Sequence, residues 1–429
     1  MKLSFLLPIL VASAGLYLLM RLRFFFICHP IRTIGEFTSA LGDRGARRSF
    51  CLALAGTLGV GNIFGVAAGI MIGGAGSLFW LFLSSIFAMI IKYAETLLTF
   101  DSKTARGGMA EVIRRVFVKC GDLLAPIYAV MTLALSLFIG SAMQSVAVLD
   151  VAEGAFSIHP VIGAVILIIL LTPVLIGGAR KIENITEIVI PLTTIIYIIM
   201  CFSVILINLH RIYEVIKLII SSAFSFKSAV GGLSFVAIKE GFARGILSNE
   251  AGAGTSAMAH SIHQRRTPHV AGLFAMCEVF FDSIVLCMLT GFAILLSVDN
   301  ISAFYTPMSL VSAAFSASLG SFSVYILLGL VFAFAYSTLI CWYFYGIEYS
   351  SLYFPKIKLF YPFLFLLFIL ASRFINTKVI LYVTDSLLLI MTVMTLSAIV
   401  KKSNRIVDLS FKAQKGAVTF GKTEKDRKK

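Results

Sequence analysis

Charged residues are scarce in this sequence of 429 residues, where they make up 13% of the chain and hydrophobic residues make up 59%. Soluble domains carry about 25% charged residues. Motifs typical of soluble enzymes are missing too, since no HExxH, GxSxG or P-loop pattern occurs. The seven cysteines show no CxxC spacing, so they indicate neither a redox motif nor a zinc site. The composition therefore predicts a polytopic membrane protein and argues against an enzyme.

Eleven apolar segments are candidates for membrane-spanning helices, each needing roughly 20 apolar residues to cross a bilayer. They are 4–20, 50–73, 77–99, 122–149, 159–178, 187–209, 229–259, 270–298, 320–347, 359–372 and 379–400. The fold class predicted from them is an all-α polytopic membrane protein with about 11 transmembrane helices.

Basic residues are distributed unevenly between the two sides of these segments. Most of the 36 Lys and Arg residues lie after segments 1, 3, 5, 7 and 9 or in the C-terminal tail, whereas the loops after segments 2, 4 and 8 hold none. Positive residues favour the cytoplasmic side, so the N-terminus is predicted to be extracytoplasmic and the C-terminus cytoplasmic, in the plasma membrane of the cell. The net charge of +15 then reflects topology and contact with anionic lipid rather than nucleic acid.

Two segments are not uniformly apolar. The second contains GTLGVGNIFG (56–65), and the seventh contains EGFARGILSNEAGAGTSA (240–257). Glycine inside a helix costs about 1 kcal/mol relative to alanine, and unpaired backbone groups in hydrocarbon cost several kcal/mol each. Both stretches are therefore predicted to be broken helices, in which freed backbone groups bind a ligand.

Five spans separate the starts of the two broken segments, which indicates two five-helix halves. Because each half has an odd number of spans, the halves, 50–209 and 229–400, are predicted to be inverted relative to each other. Together they form a ten-helix core, 50–400. Residues 1–49 add an N-terminal transmembrane helix and a cytoplasmic loop, and residues 401–429 are predicted to form a disordered basic tail.

A packing alternative applies to part of the first broken segment. Gly61, Gly65, Gly69 and Gly73 recur at every fourth position, a stripe that lets helices pack closely. Packing is the favoured role for the last three of these glycines. The break is the favoured explanation for Gly56, Thr57, Gly59 and Asn62.

Several motifs resemble the alanine or glycine:cation symporter family. They are GTLGVGNIFGVAAGI (56–70), GGAGSLFWLFLSSIFAMIIKYAETLL (73–98), GFARGILSNEAGAGTSAMAH (241–260), EVFFDSIVLCMLTGFAIL (278–295) and AYSTLICWYFYGIE (335–348). The resemblance implies sodium-coupled uptake of small neutral amino acids, alanine or glycine, on a leucine-transporter-type fold. Sodium would be the co-transported ion, and the lipid bilayer and the amino acid would be the partners, with oligomeric state unknown.

An amino-acid zwitterion needs hydrogen-bond donors for its carboxylate, and an exposed helix N-terminus supplies them. The amides near Gly59, Val60 and Gly61 are therefore candidate substrate contacts. The resemblance adds the three side chains that follow: Asn62, Gln144 and Trp342. The alternatives are a helix-packing hydrogen bond for the glutamine and an interfacial or packing role for the tryptophan.

Sodium prefers oxygen ligands, and five residues are candidates to supply them. They are the carbonyls of Ala55 and Leu58 and the hydroxyls of Thr57, Ser337 and Thr338. The alternative for the adjacent serine and threonine is a hydrogen bond to the preceding turn of their own helix.

Charged residues inside the membrane carry information because they are costly there. Lys92 and Glu95 are predicted to form an ion pair three residues apart, and Glu240 is predicted to pair with Arg244. Asn249 and Glu250 are assigned to the unwound part of the seventh segment, and cation binding is the alternative for Glu250. Gating pairs are considered between Arg244 and either Asp282 or Glu348. His260 and His263 are predicted to lie in a solvated basic loop.

Two other functions stay open at this point. Without sodium ligands, the chain would be a proton-coupled or uncoupled amino-acid carrier on the same fold. A membrane scaffold or receptor is the alternative outside transport. A channel is disfavoured because two local breaks do not provide a continuous polar lining.

Overall fold

The computed structural model describes residues 3–101, 107–224, 232–262 and 267–413. Within these ranges the chain is almost entirely helical and contains no strand. His263 and the end of the predicted tail, 414–429, lie outside the described residues.

The helices of the first half follow the predicted segments with short additions between them. They are α1 (Leu3–Arg21), α2 (Phe25–Cys28), α3 (Pro30–Ala40), α4 (Arg44–Thr57), α5 (Val66–Gly73), α6 (Gly76–Asp101), α7 (Gly108–Val116), α8 (Gly121–Leu135), α9 (Gln144–Phe156), α10 (Pro160–Ile176), α11 (Gly178–Ile207) and α12 (Ile212–Ala223). A π-helical turn, Gly61–Gly65, precedes α5, and another, Ser136–Met143, joins α8 to α9.

The second half repeats the pattern of long apolar helices after a broken one. Its helices are α13 (Gly232–Asn249), α14 (Ala257–His260), α15 (Pro268–Val279), α16 (Met288–Ser297), α17 (Pro307–Leu319), α18 (Phe322–Tyr353), α19 (Pro355–Ala371) and α20 (Thr377–Lys401). A π-helical stretch, Phe280–Cys287, makes α15 and α16 one continuous rod.

Six helical units in the described ranges are long and apolar enough to cross a membrane, and the pair formed by α4 and Gly61–Gly73, bent by 49°, is a candidate seventh. The all-α membrane class is therefore confirmed, whereas the number of crossings stays a prediction. Helix α17 was not predicted. It begins after Thr306, whose hydroxyl accepts the amide N–H of Ser309, and has Pro307 in its first turn.

The predicted disorder of the tail is wrong for residues 403–413, which form a further helix. Arg405 pairs with Asp101 at the end of α6 at 2.6 Å. The Ser410 hydroxyl lies 2.7 Å from the Tyr93 hydroxyl, which also lies 2.7 Å from His269 Nδ1. The basic side chains of this helix face outward while its other face packs on the core, so net charge alone did not predict its structure.

Helix α3 is fastened to the membrane core through one carboxylate. Glu36 accepts a hydrogen bond from Arg32 on its own helix and lies 2.9 Å from His269 Nε2 at the start of α15. The hydrogen bond with His269, together with that from Arg32, holds the pKa of Glu36 below its ordinary value against the opposing effect of burial. The loop between the first two spans is thereby ordered.

Small residues set the distance between α13 and its two neighbours. A Cβ on Gly241 would lie 2.4 Å from the carbonyl oxygen of Ser77 on α6. On α5, a Cβ on Gly69 would lie 3.2 Å from Arg244, and one on Gly73 would lie 3.2 Å from Ala237. The predicted close packing thus occurs at Gly69 and Gly73. At Gly65, a Cβ would meet nothing within 4 Å, so that glycine is not a close-packing position.

We expect Gly241→Ala to destabilise the protein by about 1–3 kcal/mol, because the added methyl group overlaps backbone atoms of α6 that cannot move aside easily. Gly329→Ala is the matched control, since a Cβ on this exposed glycine of α18 meets nothing within 4 Å. The control should be neutral or stabilising by up to about 1 kcal/mol. Thermal unfolding of the detergent-solubilised proteins measures both, and equal midpoints for the two variants would contradict the packing argument.

Candidate functional site

The first break lies where the glycine-rich motif predicted it. Helix α4 ends at Thr57, Leu58 leaves the helical conformation with ψ of 71°, and the chain resumes as the π-helical turn that begins at Gly61. The N–H of Gly59 bonds to the carbonyl oxygen of Thr57 instead of continuing the α-helical ladder. The break frees backbone groups that an intact helix would use.

Side chains from two other helices close on this break. The N–H of Val60 donates to Oε1 of Gln144 at 3.3 Å, and the Thr338 hydroxyl reaches the carbonyl oxygen of Leu58 at 3.3 Å. A Cβ on Gly59 would lie 3.1 Å from both side-chain oxygens. The structure thus brings five predicted site residues together, and glycine at position 59 is what permits their close approach.

Asn62 faces a different partner on the far side of the π-helical turn. Its Nδ2 donates to Oδ1 of Asp282 at 2.6 Å and to the carbonyl oxygen of the same residue at 3.0 Å. The aspartate carboxylate also accepts hydrogen bonds from Ser248, at 2.9 Å, and Ser283, at 2.6 Å. Asn62 Oδ1 is buried and makes no hydrogen bond within the described residues. The asparagine is therefore held by its nitrogen, and its oxygen is left as an unused acceptor.

Trp342 is fully buried in the core, so it is not an interfacial anchor. Its ring meets Tyr345 edge-on at 5.4 Å between centroids. A Cβ on Gly140 would lie 2.2 Å from the tryptophan Cβ, so the π-helical turn below it must present glycine there. The indole N–H finds no acceptor in the described part of the chain.

The two adjacent hydroxyls of α18 differ in what they contact. The Ser337 hydroxyl donates to carbonyl oxygens of its own helix, both at 2.9 Å. Thr338 makes the same kind of bond at 2.9 Å, but it also reaches Leu58 across the helix boundary. The alternative of bonding to the preceding turn therefore describes the serine, whereas the threonine also contacts the break.

The remaining predicted sodium residues lie on α4. Ala55 is buried within the helix, and the Thr57 hydroxyl bonds to the carbonyl oxygen of Leu54 at 3.3 Å, one turn earlier. Gly61 opens the π-helical turn. These residues are close to the break in sequence, but the hydrogen bond of Thr57 turns its side chain back to its own helix.

The second break follows α13 and is held by the two residues that the sequence singled out. Glu250 adopts a left-handed backbone conformation with φ of 53°, and its carboxylate accepts the Thr255 hydroxyl at 2.6 Å. Oδ1 of Asn249 accepts the N–H of Ala251 at 3.0 Å, and its Nδ2 donates to Ser283 at 3.1 Å. The helix therefore ends in a turn, residues 250–256, before α14 begins.

Arg244 makes one of the two kinds of pair considered from the sequence. Its guanidinium lies 3.0 Å from Glu240, four residues earlier on the same helix. The pairs with Asp282 and Glu348 are not formed in this conformation, because the guanidinium is held along its own helix and the aspartate is held by neutral donors.

A second polar group, which we call the buried charge cluster, was only partly anticipated. It comprises Lys92, Glu95, Glu250, His260 and Glu278. The lysine pairs with Glu278 at 3.1 Å, and that carboxylate lies 3.1 Å from the histidine Nε2. The predicted pair of Lys92 with Glu95 is wrong, because the lysine reaches across to α15 and its amine also bonds to a serine hydroxyl, Ser256, at 2.7 Å.

Two members of this cluster, His260 and Glu278, were not predicted to be part of it. His260 was predicted to be solvated, yet it is fully buried, because α14 folds back under α6. Glu278 was not singled out, although an unpaired lysine in an apolar span signals that an acidic partner exists elsewhere. The spacing of three residues along α6 instead favoured Glu95, the acidic residue nearest to Lys92 in sequence.

The fold matches that of a solved transporter. A crystal structure of the manganese transporter of Eremococcus coleocola, in complex with an aromatic bis-isothiourea substituted compound, aligns with a TM-score of 0.53 and 16% identity over 82% of this chain and 76% of that one. At this identity the likeness concerns the fold alone. The chain therefore shares the fold of this membrane transporter.

Sequence comparison narrows the class. The profile of the sodium:alanine symporter family matches residues 1–422, and the chain belongs to this family. It is 33% identical over 356 residues to an uncharacterized transporter of Haemophilus influenzae, covering 79% of this chain and 77% of that protein. It is 32% identical over 357 residues to the sodium/alanine symporter AgcS of Methanococcus maripaludis, covering 79% and 78%.

We expect Glu278→Leu to destabilise the protein by about 3–5 kcal/mol, because it leaves the Lys92 ammonium buried without its carboxylate. The double variant Glu278→Leu/Lys92→Met removes both charges and should recover part of that loss. Thermal unfolding in detergent measures the two variants side by side. A double variant no more stable than the single one would show that the pair is not the source of the effect.

Proposed function

We propose that the protein is a sodium-coupled symporter that carries small neutral amino acids, alanine or glycine, into the cell. The observation that carries this proposal is the buried convergence of Gln144 and Thr338 on the broken backbone at Leu58–Val60. Such a place offers both donors and acceptors, which a zwitterion requires. The similarity to the sodium/alanine symporter of Methanococcus maripaludis supports the same substrate class.

The substrate carboxylate would take over the N–H of Val60, which Gln144 occupies in this conformation. The ammonium group would be received by Oδ1 of Asn62, the buried acceptor that makes no hydrogen bond in the described residues. Asp282 fixes the orientation of that amide and places a carboxylate behind it. A hydrogen-bond donor would thus face the carboxylate of the zwitterion, and an acceptor with a carboxylate behind it would face the ammonium group.

The indole ring of Trp342 would limit the size of the substrate side chain. Trp342 is fully buried and rests on Gly140, so it has no room to withdraw. A small side chain fits against it, whereas a branched one would overlap it. The backbone at Leu58–Val60 and the side chains of Gln144 and Thr338 are buried, so substrate entry requires the alternating movement of helices that this type of fold performs.

Sodium would be held by oxygen atoms at the same break. The Leu58 carbonyl and the Thr338 hydroxyl already face each other across the helix boundary. The carbonyl of Ala55 and the hydroxyls of Thr57 and Ser337 are the further candidates. Since the hydrogen bonds of both hydroxyls stay within their own helices, Thr338 is the side chain that we assign first.

The driving force is sufficient on rough numbers. One sodium ion moving down a tenfold gradient yields about 1.4 kcal/mol, and a potential of 100 mV adds about 2.3 kcal/mol per charge. The sum of about 3.7 kcal/mol supports accumulation of a neutral zwitterion by a few hundred-fold.

We expect labelled alanine to accumulate in proteoliposomes under an inward sodium gradient but not under an equal potassium gradient. Unlabelled glycine and serine should compete, and leucine should not, because its branched side chain would meet Trp342. Uptake that is independent of sodium would instead favour the proton-coupled or uncoupled carrier. Absence of alanine and glycine uptake in both gradients would refute the proposed substrate class.

We expect Thr338→Ala to raise the sodium concentration for half-maximal uptake by about tenfold, equivalent to about 1.4 kcal/mol, because it removes an oxygen ligand at the break. Ser337→Ala is the matched control, since it removes a neighbouring hydroxyl of the same helix that bonds within that helix. Its sodium dependence should change by much less. Equal shifts in the two variants, or none in either, would remove Thr338 from the sodium site.

A further inference from the structure

The buried charge cluster is not used by the proposed substrate and sodium sites. Lys92 and Glu95 belong to α6, Glu250 to the turn 250–256, His260 to α14 and Glu278 to α15. Four of these side chains are 0% exposed, and Glu250 is 3% exposed. Within the described ranges no three His, Cys, Asp or Glu side chains are grouped so as to hold a metal ion.

The charges of the cluster do not balance without bound protons. Lys92 and Glu278 neutralise each other as an ion pair. Glu95 and Glu250 would together need two more positive charges, and His260 can supply only one. An uncompensated charge is costly in the interior of a membrane protein. A neutral cluster therefore contains at least one protonated carboxyl group even when the histidine is charged.

Hydrogen bonding indicates which carboxyl group carries that proton. Glu278 has a positive or potentially positive partner on each oxygen, Lys92 on Oε1 and His260 on Oε2, and is therefore ionised. Glu95 receives the backbone N–H of Gly252 on Oε1 at 2.7 Å. Its Oε2 is buried and makes no hydrogen bond of normal geometry in the described chain. A carboxylate with one unsolvated oxygen favours the neutral form.

The groups that face Glu95 from the neighbouring helices do not change this balance. Tyr128 on α8 contributes a neutral phenol whose hydroxyl donates to the carbonyl of Ala253 in the turn. Asp282, from the π-helical stretch after α15, adds a carboxylate near Glu250, not a cation. On α20, Thr392 lies against Gly252 of the turn, and its side chain carries a hydroxyl group and no charge.

The partner of Glu95 lies in a turn whose backbone depends on two glycines. Gly252 and Gly254 both have positive φ, 93° and 75°, so the turn contains two backbone positions that side chains disfavour. A Cβ on Gly252 would lie 2.8 Å from Thr392, and one on Gly254 would lie 2.8 Å from Met109. The turn is thus wedged between Glu95 and the helices α7 and α20. Its displacement would remove the amide from Glu95 and admit water.

We propose that Glu95 is a proton-binding site, separate from the substrate and sodium residues, which holds a proton while the 250–256 turn is closed and releases it to water when the turn opens. The opening is toward the side that the basic loops predict to be cytoplasmic. The closed state binds one more proton than the open state, so low pH on that side favours closure and high pH favours opening.

The first test needs no substrate. Infrared difference spectroscopy of the purified full-length protein detects the C=O stretch of a protonated carboxyl group at about pH 7. We expect the wild type to show this band and Glu95→Gln to lose it, while the amide oxygen of glutamine still accepts the N–H of Gly252. Glu187→Gln is the matched control, because that carboxylate is held ionised by three arginines, and the band should persist.

The second test connects the proton to transport. Sodium-driven uptake of alanine is measured at fixed external pH while internal pH is lowered from about 8 to about 6, in proteoliposomes of one orientation. Wild-type uptake should fall by up to about tenfold per pH unit for one proton. Glu95→Gln, which mimics the permanently protonated side chain, should be slow and insensitive to internal pH, and Glu187→Gln should follow the wild type.

Two results would overturn the proposal. One is a wild-type protein without the protonated-carboxyl band, or a band that survives Glu95→Gln at full intensity and disappears in Glu250→Gln or Asp282→Asn instead. The other is an unchanged pH dependence of uptake in Glu95→Gln. If the wild type transports no amino acid at any pH, the proposed substrate is wrong, and the infrared experiment still decides the assignment of the proton to Glu95.

Discussion

Inside a bilayer, each backbone N–H and C=O group must find a partner within the protein, because no water is available to replace it. Continuous helices meet this requirement through their own backbone hydrogen bonds. Where a helix is broken, side chains of other helices must provide hydrogen-bond partners for the exposed backbone groups. Here the break after Thr57 is met by Gln144 and Thr338, and the break after Asn249 is met by Glu95 and Tyr128. Buried polar side chains stand at both places for that reason.

The two breaks are contacted by different kinds of side chain, and their chemistry differs as a result. At the first, the groups that contact the broken backbone directly, Gln144 and Thr338, are a neutral amide and a hydroxyl that a substrate and a cation can displace. The second is surrounded by ionised groups, since the turn 250–256 lies over the ion pair of Lys92 and Glu278. Exchange of neutral partners is easy, whereas separation of buried charges is not. The first break suits transient binding, and the second suits a change of state linked to a proton.

Much of the fold could be predicted from the sequence because its signals are local. Apolar length placed the helices, and the glycines around Asn62 marked the first break. The partners of buried charges could not be predicted, since Lys92 and Glu278 are 186 residues apart and a nearer acid, Glu95, satisfies the spacing rule. The helix at 403–413 could not be predicted for a related reason. Its composition is that of a solvated tail, and only its contacts with α6 show that it is a packed helix.

The tail helix has a consequence for biosynthesis. Asp101 and Tyr93, at the end of α6, take partners that follow them by 304 and 317 residues, Arg405 and Ser410. A ribosome delivers the chain from the N-terminus, so these two residues enter the membrane long before their partners exist. The predicted cytoplasmic face of the transporter at the end of α6 is therefore completed only after Arg405 and Ser410 have been synthesised.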